Sequence, residues 1–290
     1  MKDLLKLMAC WAAFGASLVC SGILINLLHL HLNHLPNVDT GPMHILEVIL
    51  AGGVLVLGLW PMARGLAGLP AARCAALGSF VFLAQGVNTI LDGLIYMTMF
   101  QGAVASNALM YGLEAIMLGC ALGICFGQTG QPGGFPRRNW MAWTGRGLIA
   151  WLAWPVVYFS FGACIAPIVV PYYTNGSMPW LHLPPTSTIF VMQLVRSAIF
   201  LVASLPLIAL WKGSRRGLWL GLGLAHAVTV GIYGLVAATF LPLAMRIAHG
   251  VEITCDSFVY AGLLVLLFGV SAAAKTTPAA ERRDAPLHAL

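Results

Sequence analysis

Long apolar stretches recur along the whole chain, separated by short breaks that are rich in turn-forming or charged residues. A helix needs about 20 mostly apolar residues to cross the hydrocarbon core of a bilayer. Eight stretches are long enough, and the predicted spans are 4–30, 44–64, 74–99, 107–127, 147–171, 187–211, 217–243 and 247–272. The pattern predicts an all-α integral membrane protein with eight transmembrane helices in contact with the lipid bilayer.

The composition supports this class, and the placement of charge predicts an orientation. Of the 290 residues 60% are hydrophobic and 8% are charged, with a net charge of +6. The basic residues cluster at both ends of the chain and in every second connection: Lys2, Lys6, Arg64, Arg73, Arg137, Arg138, Arg146, Lys212, Arg215, Arg216, Lys275, Arg282 and Arg283. The connections at 31–44, 100–108 and 171–188 contain no Lys or Arg. Because cytoplasmic loops carry the excess of Lys and Arg, we predict an inner (plasma) membrane protein with both termini in the cytoplasm. Such scattered charge does not favour a nucleic-acid partner.

A Gly- and Pro-rich connection at 127–140 divides the eight spans into two sets of four, and the two halves resemble each other. The sequence "LAQGVNTILDGL" at 83–94 matches "LAHAVTVGIYGL" at 224–235, and "YGLEAI" matches "HGVEIT", which aligns Glu114 with Glu252. We therefore predict a 4+4 parallel internal repeat. The predicted units are membrane repeats at 1–130 and 147–274, a cytoplasmic linker at 131–146 and a disordered cytoplasmic tail at 275–290.

Few ionisable residues lie within or at the edges of the predicted spans. They are Glu47, Asp92, Glu114, Arg196, Arg246, Glu252 and Asp256. A charged side chain at the centre of a bilayer costs at least about 2.5–3.5 kcal/mol, so such groups face one another or a wet cavity. On the eighth span, Arg246, His249, Glu252, Asp256 and Tyr260 fall within an arc of about 120° on one helical face.

Arg196 is the strongest candidate for a binding residue, because a guanidinium cannot lose its charge and needs an anionic partner or ligand. Glu252 and Asp256, one turn apart on the eighth span, are its expected partners. In one interpretation these residues form an ion-pair network that fixes the register of the helices. In the other, Arg196 holds an anionic or carbonyl-bearing ligand in an outward-facing cavity between spans 2, 6, 7 and 8, while the carboxylates bind protons or cations. The candidate substrate-binding residues are Arg196, Glu252, Asp256, His249, Arg246, Gln193, His226 and Glu47.

The histidines could serve a metal or haem group, since imidazole is a common metal ligand. Six of the eight map to the outer side of the predicted topology: His29, His31, His34, His44, His182 and His249. His249 and Glu252 form an i, i+3 pair, but the chain contains no second matched pair, no H-E-x-x-H and no C-x-x-C-H motif. We predict no cofactor, and His44 and His249 are the candidate ligands if a metal is bound.

These observations favour a small-solute transporter, or a subunit of one, with a polar cavity on the outer side. A membrane-embedded metal or haem redox protein or enzyme is the first alternative, and a non-catalytic membrane assembly factor is the second. The expected partners are the bilayer and a small-molecule solute. The sequence leaves open the substrate, the direction of transport, the oligomeric state and whether the protein is an enzyme.

Overall fold

The structure is a computed structural model that describes residues 1–31, 42–98, 100–135 and 138–269, with only the backbone described at 42–44 and 101. The predicted tail at 275–290 lies outside the described residues. Within them, eight helices are long and apolar enough to cross a membrane. They are α1 (Lys2–Leu27), α2 (Pro42–Gly65), α3 (Pro70–Tyr96), α4 (Val104–Cys125), α5 (Trp140–Thr174), α6 (Thr186–Leu210), α7 (Arg215–Ala237) and α8 (Leu243–Phe268). The eight predicted helices are thereby confirmed, and the described residues have the architecture expected of a multi-pass helical membrane protein.

The largest difference from the predicted boundaries is at α5, which begins at Trp140 rather than at 147. Asn139 caps this end, because its side-chain oxygen accepts a hydrogen bond from the backbone N–H of Ala142 at 2.9 Å. The second part of the predicted linker at 131–146 is therefore helical. Helix α7 ends at Ala237, where the predicted span ends at 243. Helix α8 begins at Leu243, where the predicted span begins at 247.

The helix ends form two faces of the bundle. We call the face with the start of α1 and the end of α8 the terminal face, and the opposite one the distal face. Loops on the terminal face interlock, since the backbone N–H of Ala67 donates to the carbonyl of Leu210 and that of Lys212 donates to the carbonyl of Gly65. On the distal face the N–H of His182 donates to the carbonyl of Tyr96. These contacts agree with successive helices that run in alternating directions.

The helix contacts of the first half have counterparts in the second half. In the first half α1 packs against α2 and α4, and α3 packs against α4. In the second half α5 packs against α6 and α8, and α7 packs against α8. The halves join where α2 meets α7 and where α3 meets α6. The two outermost spans, α1 and α5, bury the smallest share of their residues within the bundle.

Both central helices, α3 and α7, contain a π-helical segment, at Phe82–Val87 and at Val228–Ile232. The two segments pack against each other at the junction of the halves. There the side-chain amide of Asn88 donates to the carbonyl of Val230 at 3.3 Å. A π-helical turn disturbs the regular backbone hydrogen bonds of a helix, so this junction combines irregular backbone with buried polar side chains.

Candidate functional site

Arg196 pairs with Asp92, so the strongest sequence candidate has an acidic partner from the other half of the chain. Arg196 lies in the middle of α6 and Asp92 one turn before the distal end of α3. Side chains of a helix lean toward its N-terminus. Helix α6 starts at the distal face, so the Arg196 side chain extends toward that face. Helix α3 starts at the terminal face, so the Asp92 side chain extends toward the terminal face, and the two side chains meet in the distal half.

Two further carboxylates lie beside this pair, on α8. Glu252 and Asp256 are both buried, one helical turn apart on the same face. Glu252 is close enough for its charge to act on Arg196 and on Asp256. Its Oε2 atom is 2.9 Å from Nδ1 of His249, which places His249 at the outer edge of the same cluster. The structure thus brings together Arg196, His249, Glu252 and Asp256 from the predicted set, while Asp92 is the direct partner of Arg196.

Helix α5 contributes to the site in addition to α3, α6 and α8. A Cβ atom at Gly162 would lie 3.1 Å from Oε1 of Glu252, so the missing side chain at this position makes room for the carboxylate. The hydroxyl groups of Tyr158 and of Tyr96, from α3, are 3.5 Å apart, and the charge of Glu252 reaches both. The site accordingly lies between α3, α5, α6 and α8, whereas the sequence placed it between spans 2, 6, 7 and 8.

Several buried polar atoms of the site have no hydrogen-bond partner among the described residues. They are Nε of Arg196, Nε2 of Gln193 and Oδ1 of Asp256. The other end of the Gln193 amide is held, because its oxygen accepts a hydrogen bond from the indole N–H of Trp154 at 2.9 Å. A buried polar group without a partner costs about 1–3 kcal/mol. Donors on α6 and an acceptor on α8 are therefore available to a ligand that enters between these two helices.

The balance of charge in the site is acidic. The Arg196 guanidinium pairs with Asp92 and lies within reach of the Glu252 charge, and Glu252 in turn acts on Asp256, so three carboxylates share the cluster with one guanidinium. Exposure rises toward the distal edge, since the side chain of Arg196 is 7% exposed, that of His249 25% and that of Asp92 38%. The site therefore reaches the surface of the bundle in its distal half and closes toward the middle.

The remaining candidates lie elsewhere. The Arg246 guanidinium donates to the carbonyls of Leu235 and Val236, at 2.7 and 3.2 Å, and so caps the end of α7. Oε2 of Glu47 accepts a hydrogen bond from the hydroxyl of Thr239 at 2.7 Å, in the connection between α7 and α8. His226 is fully buried beside Ser204, with its Nε2 atom 2.8 Å from the hydroxyl oxygen. Each of these three side chains has a partner outside the Arg196 cluster.

Among the described residues no group of three or more His, Cys, Asp or Glu side chains is placed to hold a metal ion. The side chain of His44, a candidate ligand in the sequence, lies outside the described part. His249, the other candidate ligand, has Glu252 as its neighbour.

Residues that the sequence did not assign to the site contribute much of its wall. Asp92 carried a signal, because it is an ionisable residue inside a predicted span. Tyr96, Tyr158 and Gly162 carried none, since Tyr is common at membrane interfaces and Gly at helix contacts.

Comparison with known proteins adds no further assignment: no family model matches the chain, and no curated protein or solved structure matches it.

Proposed function

We propose that the protein is a carrier, or a carrier subunit, for a small polar solute that binds on the distal side between α3, α5, α6 and α8. The observation that carries the proposal is the buried cluster around Arg196, in which donor and acceptor atoms have no hydrogen-bond partner among the residues that the structure describes. Ionisable residues within membrane spans mark substrate and ion pathways in transport proteins. A polar cluster between helices whose side chains become more exposed toward the distal face fits this use.

The chemistry of the cluster favours a zwitterionic solute. Nε of Arg196 and Nε2 of Gln193 are donors and suit a carboxylate or carbonyl group. Oδ1 of Asp256 is an acceptor, and the carboxylates outnumber the guanidinium, which suits an ammonium group. A molecule with a carboxylate at one end and an ammonium at the other satisfies both without adding net charge to the bundle.

We further propose that the distal face is periplasmic and that both termini are cytoplasmic, in an inner membrane. The support is the distribution of basic residues, because Lys6, Arg64, Arg73 and Lys212 lie at the terminal face. The connections at the distal face contain no Lys or Arg. Solute would then enter the site from the periplasm or leave it there.

We also propose that the two halves are a 4+4 parallel repeat, with α1–α4 equivalent to α5–α8. The matched helix contacts of the two halves support this, and so do the π-helical segments in α3 and α7.

The carrier proposal is tested with purified protein in liposomes. We expect saturable uptake of radiolabelled alanine, a zwitterion, and much weaker uptake of lysine and of succinate. Arg196→Gln and Glu252→Gln should each lower alanine uptake at least tenfold, because each removes a charge of the site. Arg216→Gln, which changes an exposed basic residue on the terminal face, serves as the matched control. Unaltered alanine uptake in the Arg196 and Glu252 variants would show that the cluster does not bind the solute.

The second candidate is a non-catalytic assembly factor in which the polar cluster only holds the helices together. The pairing of Arg196 with Asp92 across the two halves is the observation that favours it. In that case removing both charges together should preserve the biological activity, whereas a carrier would lose transport.

A further inference from the structure

A second buried polar cluster lies in the first half of the bundle, where α3 meets α4. Glu114 of α4 is 0% exposed, and its Oε1 atom accepts a hydrogen bond from the side-chain amide of Gln85 at 2.7 Å. Asn88 lies one turn after Gln85 on α3 and is also buried. These three residues, Gln85, Asn88 and Glu114, are called the Glu114 cluster below.

The Glu114 cluster contains an uncompensated carboxylate. Among the described residues no Lys, Arg or His forms an ion pair with Glu114. Its charge also acts on the hydroxyl groups of Tyr111 and Tyr233. An isolated ionised carboxylate in a medium of low dielectric constant is very costly. Glu114 therefore needs a positive ion or a proton to be stable in this position.

The hydrogen-bonding groups of the cluster favour an ion over a proton. Three of its buried oxygen atoms have no partner among the described residues: Oε2 of Glu114, Oε1 of Gln85 and Oδ1 of Asn88. A proton on Glu114 supplies a single donor and can satisfy only one acceptor at a time. A metal cation is coordinated by several oxygen atoms at once, so one ion can provide a partner for all three of them.

The backbone around the cluster adds to this argument. Gln85 lies within the π-helical segment of α3, and the Nδ2 group of Asn88 reaches the carbonyl of Val230 in the π-helical segment of α7. Irregular helical backbone in membrane carriers provides carbonyl groups that coordinate Na⁺, and π-helical turns are frequent at functional sites. The cluster therefore has side-chain oxygens next to the backbone irregularity that such sites use.

We propose that Glu114, Gln85 and Asn88 form a binding site for one Na⁺ ion. The single carboxylate matches one positive charge, whereas Ca²⁺ and Mg²⁺ sites use more carboxylates or bound water. Gln85 and Glu114 approach to 2.7 Å, and the test compares Na⁺ with the larger K⁺. Na⁺ binding at this site stands apart from the proposed solute site, and its test does not require transport.

The test measures the thermal unfolding of the purified protein in detergent at constant ionic strength. In 100 mM NaCl we expect the unfolding midpoint to be about 2 °C or more above that in choline chloride, because a ligand that binds only the folded state stabilises it. KCl should give less than half of this shift. Glu114→Gln and Asn88→Ala should each abolish the Na⁺-dependent part. Asn107→Ala, which removes a partly buried amide elsewhere on α4, should keep it.

Three outcomes would overturn the proposal. The first is a wild-type protein whose unfolding midpoint does not depend on Na⁺, including one that is stabilised only by acid and so binds a proton instead. The second is a shift in KCl that is as large as the shift in NaCl, both measured against choline chloride. The third is an undiminished Na⁺ shift in Asn88→Ala or in Glu114→Gln. If Glu114→Gln does not fold, Asn88→Ala decides, and loss of alanine uptake in other variants has no bearing on the result.

Discussion

The guanidinium of Arg196 pairs with the carboxylate of Asp92, and this contact joins α6 of the second half to α3 of the first. The two side chains approach from opposite directions along the membrane normal, because their helices run in opposite directions. A charge that is buried in the bundle is thereby neutralised across the junction of the halves. The pair consequently bears on the stability of the bundle as well as on the proposed solute site.

The first prediction concerns the energy of this pair. Asp92→Asn leaves a guanidinium that cannot lose its proton, so we expect it to lower the free energy of unfolding by about 2–3 kcal/mol. That is below the usual 3–5 kcal/mol for a broken buried pair, because Asp92 is 38% exposed. Arg196→Gln should cost less, since the carboxylates left behind can take up protons. Reversible unfolding in mixtures of SDS and mild detergent measures both.

The double variant Asp92→Asn, Arg196→Gln provides the control for this pair. Its loss of stability should be smaller than the sum of the two single losses, since no guanidinium that has lost its Asp92 partner remains. Strictly additive losses would show that the two groups do not interact.

The second prediction separates Arg246 from the solute site. Arg246→Met removes two charge-assisted hydrogen bonds to the carbonyls of Leu235 and Val236, and we expect a loss of about 1.5–3 kcal/mol in local stability. Hydrogen exchange should therefore become faster at the end of α7, in residues 233–241. The KM for alanine uptake should stay within about twofold of the wild-type value. A large rise in KM without faster exchange would place Arg246 in the site after all.

The apolar pattern predicted the helices well because membrane spans are constrained by bilayer thickness and by the need to satisfy the backbone internally. Arg196 and Glu252 were recognisable for a related reason, since each is a costly group inside a span. Their partners could not be derived, because the pattern does not say which helices are neighbours. Asp92 proved to be adjacent to Arg196 only when α3 was seen to pack against α6.

Helical periodicity assigns residues to a face of a helix, and its limits explain which site residues could not be predicted. The arc on the eighth span correctly grouped Glu252 with Asp256, but it also included Arg246, whose long side chain turns back to the end of α7. The π-helical segments of α3 and α7 had no visible signal, since neither contains a proline or a charged residue that would mark an irregular turn. Side-chain length and local backbone register thus limit the prediction of the site more than helix placement does.

The third prediction tests the contact between α3 and α4. A Cβ atom at Gly119 would lie 2.5 Å from Cα of Gly78, and a Cβ atom at Gly123 would lie 2.7 Å from the backbone nitrogen of Cys74. Small residues let membrane helices approach this closely. Because the obstacle is backbone that cannot turn aside, we expect Gly119→Ala to destabilise the protein by about 1–3 kcal/mol.

The matched control lies on the same helix. A Cβ atom at Gly112 would meet only the ring of Phe82, at 3.9 Å. Gly112→Ala should thus leave the SDS unfolding midpoint unchanged or raise it slightly, since Ala is about 1 kcal/mol better than Gly within a helix. Equal effects of the two substitutions would mean that α3 and α4 do not approach closely at Gly119.

The last prediction tests whether the space at Gly162 is used by the solute site. A methyl group there would lie 3.1 Å from Oε1 of Glu252, close enough to displace the carboxylate by a few tenths of an ångström but not to break the contact between α5 and α8. We expect Gly162→Ala to lower alanine uptake about tenfold, on the view that a site must hold its groups within about 0.5 Å. Gly145→Ala, on the same helix with nothing within 4 Å of the added atom, should transport normally. Both variants should keep the wild-type unfolding midpoint or raise it slightly, because neither methyl group meets backbone and Ala is better than Gly within a helix. Since the effect of Gly162→Ala acts through Glu252, the substitution should have little further effect in a Glu252→Gln background. If adding Gly162→Ala to Glu252→Gln lowers alanine uptake by a further tenfold, Gly162 affects uptake by some route other than Glu252.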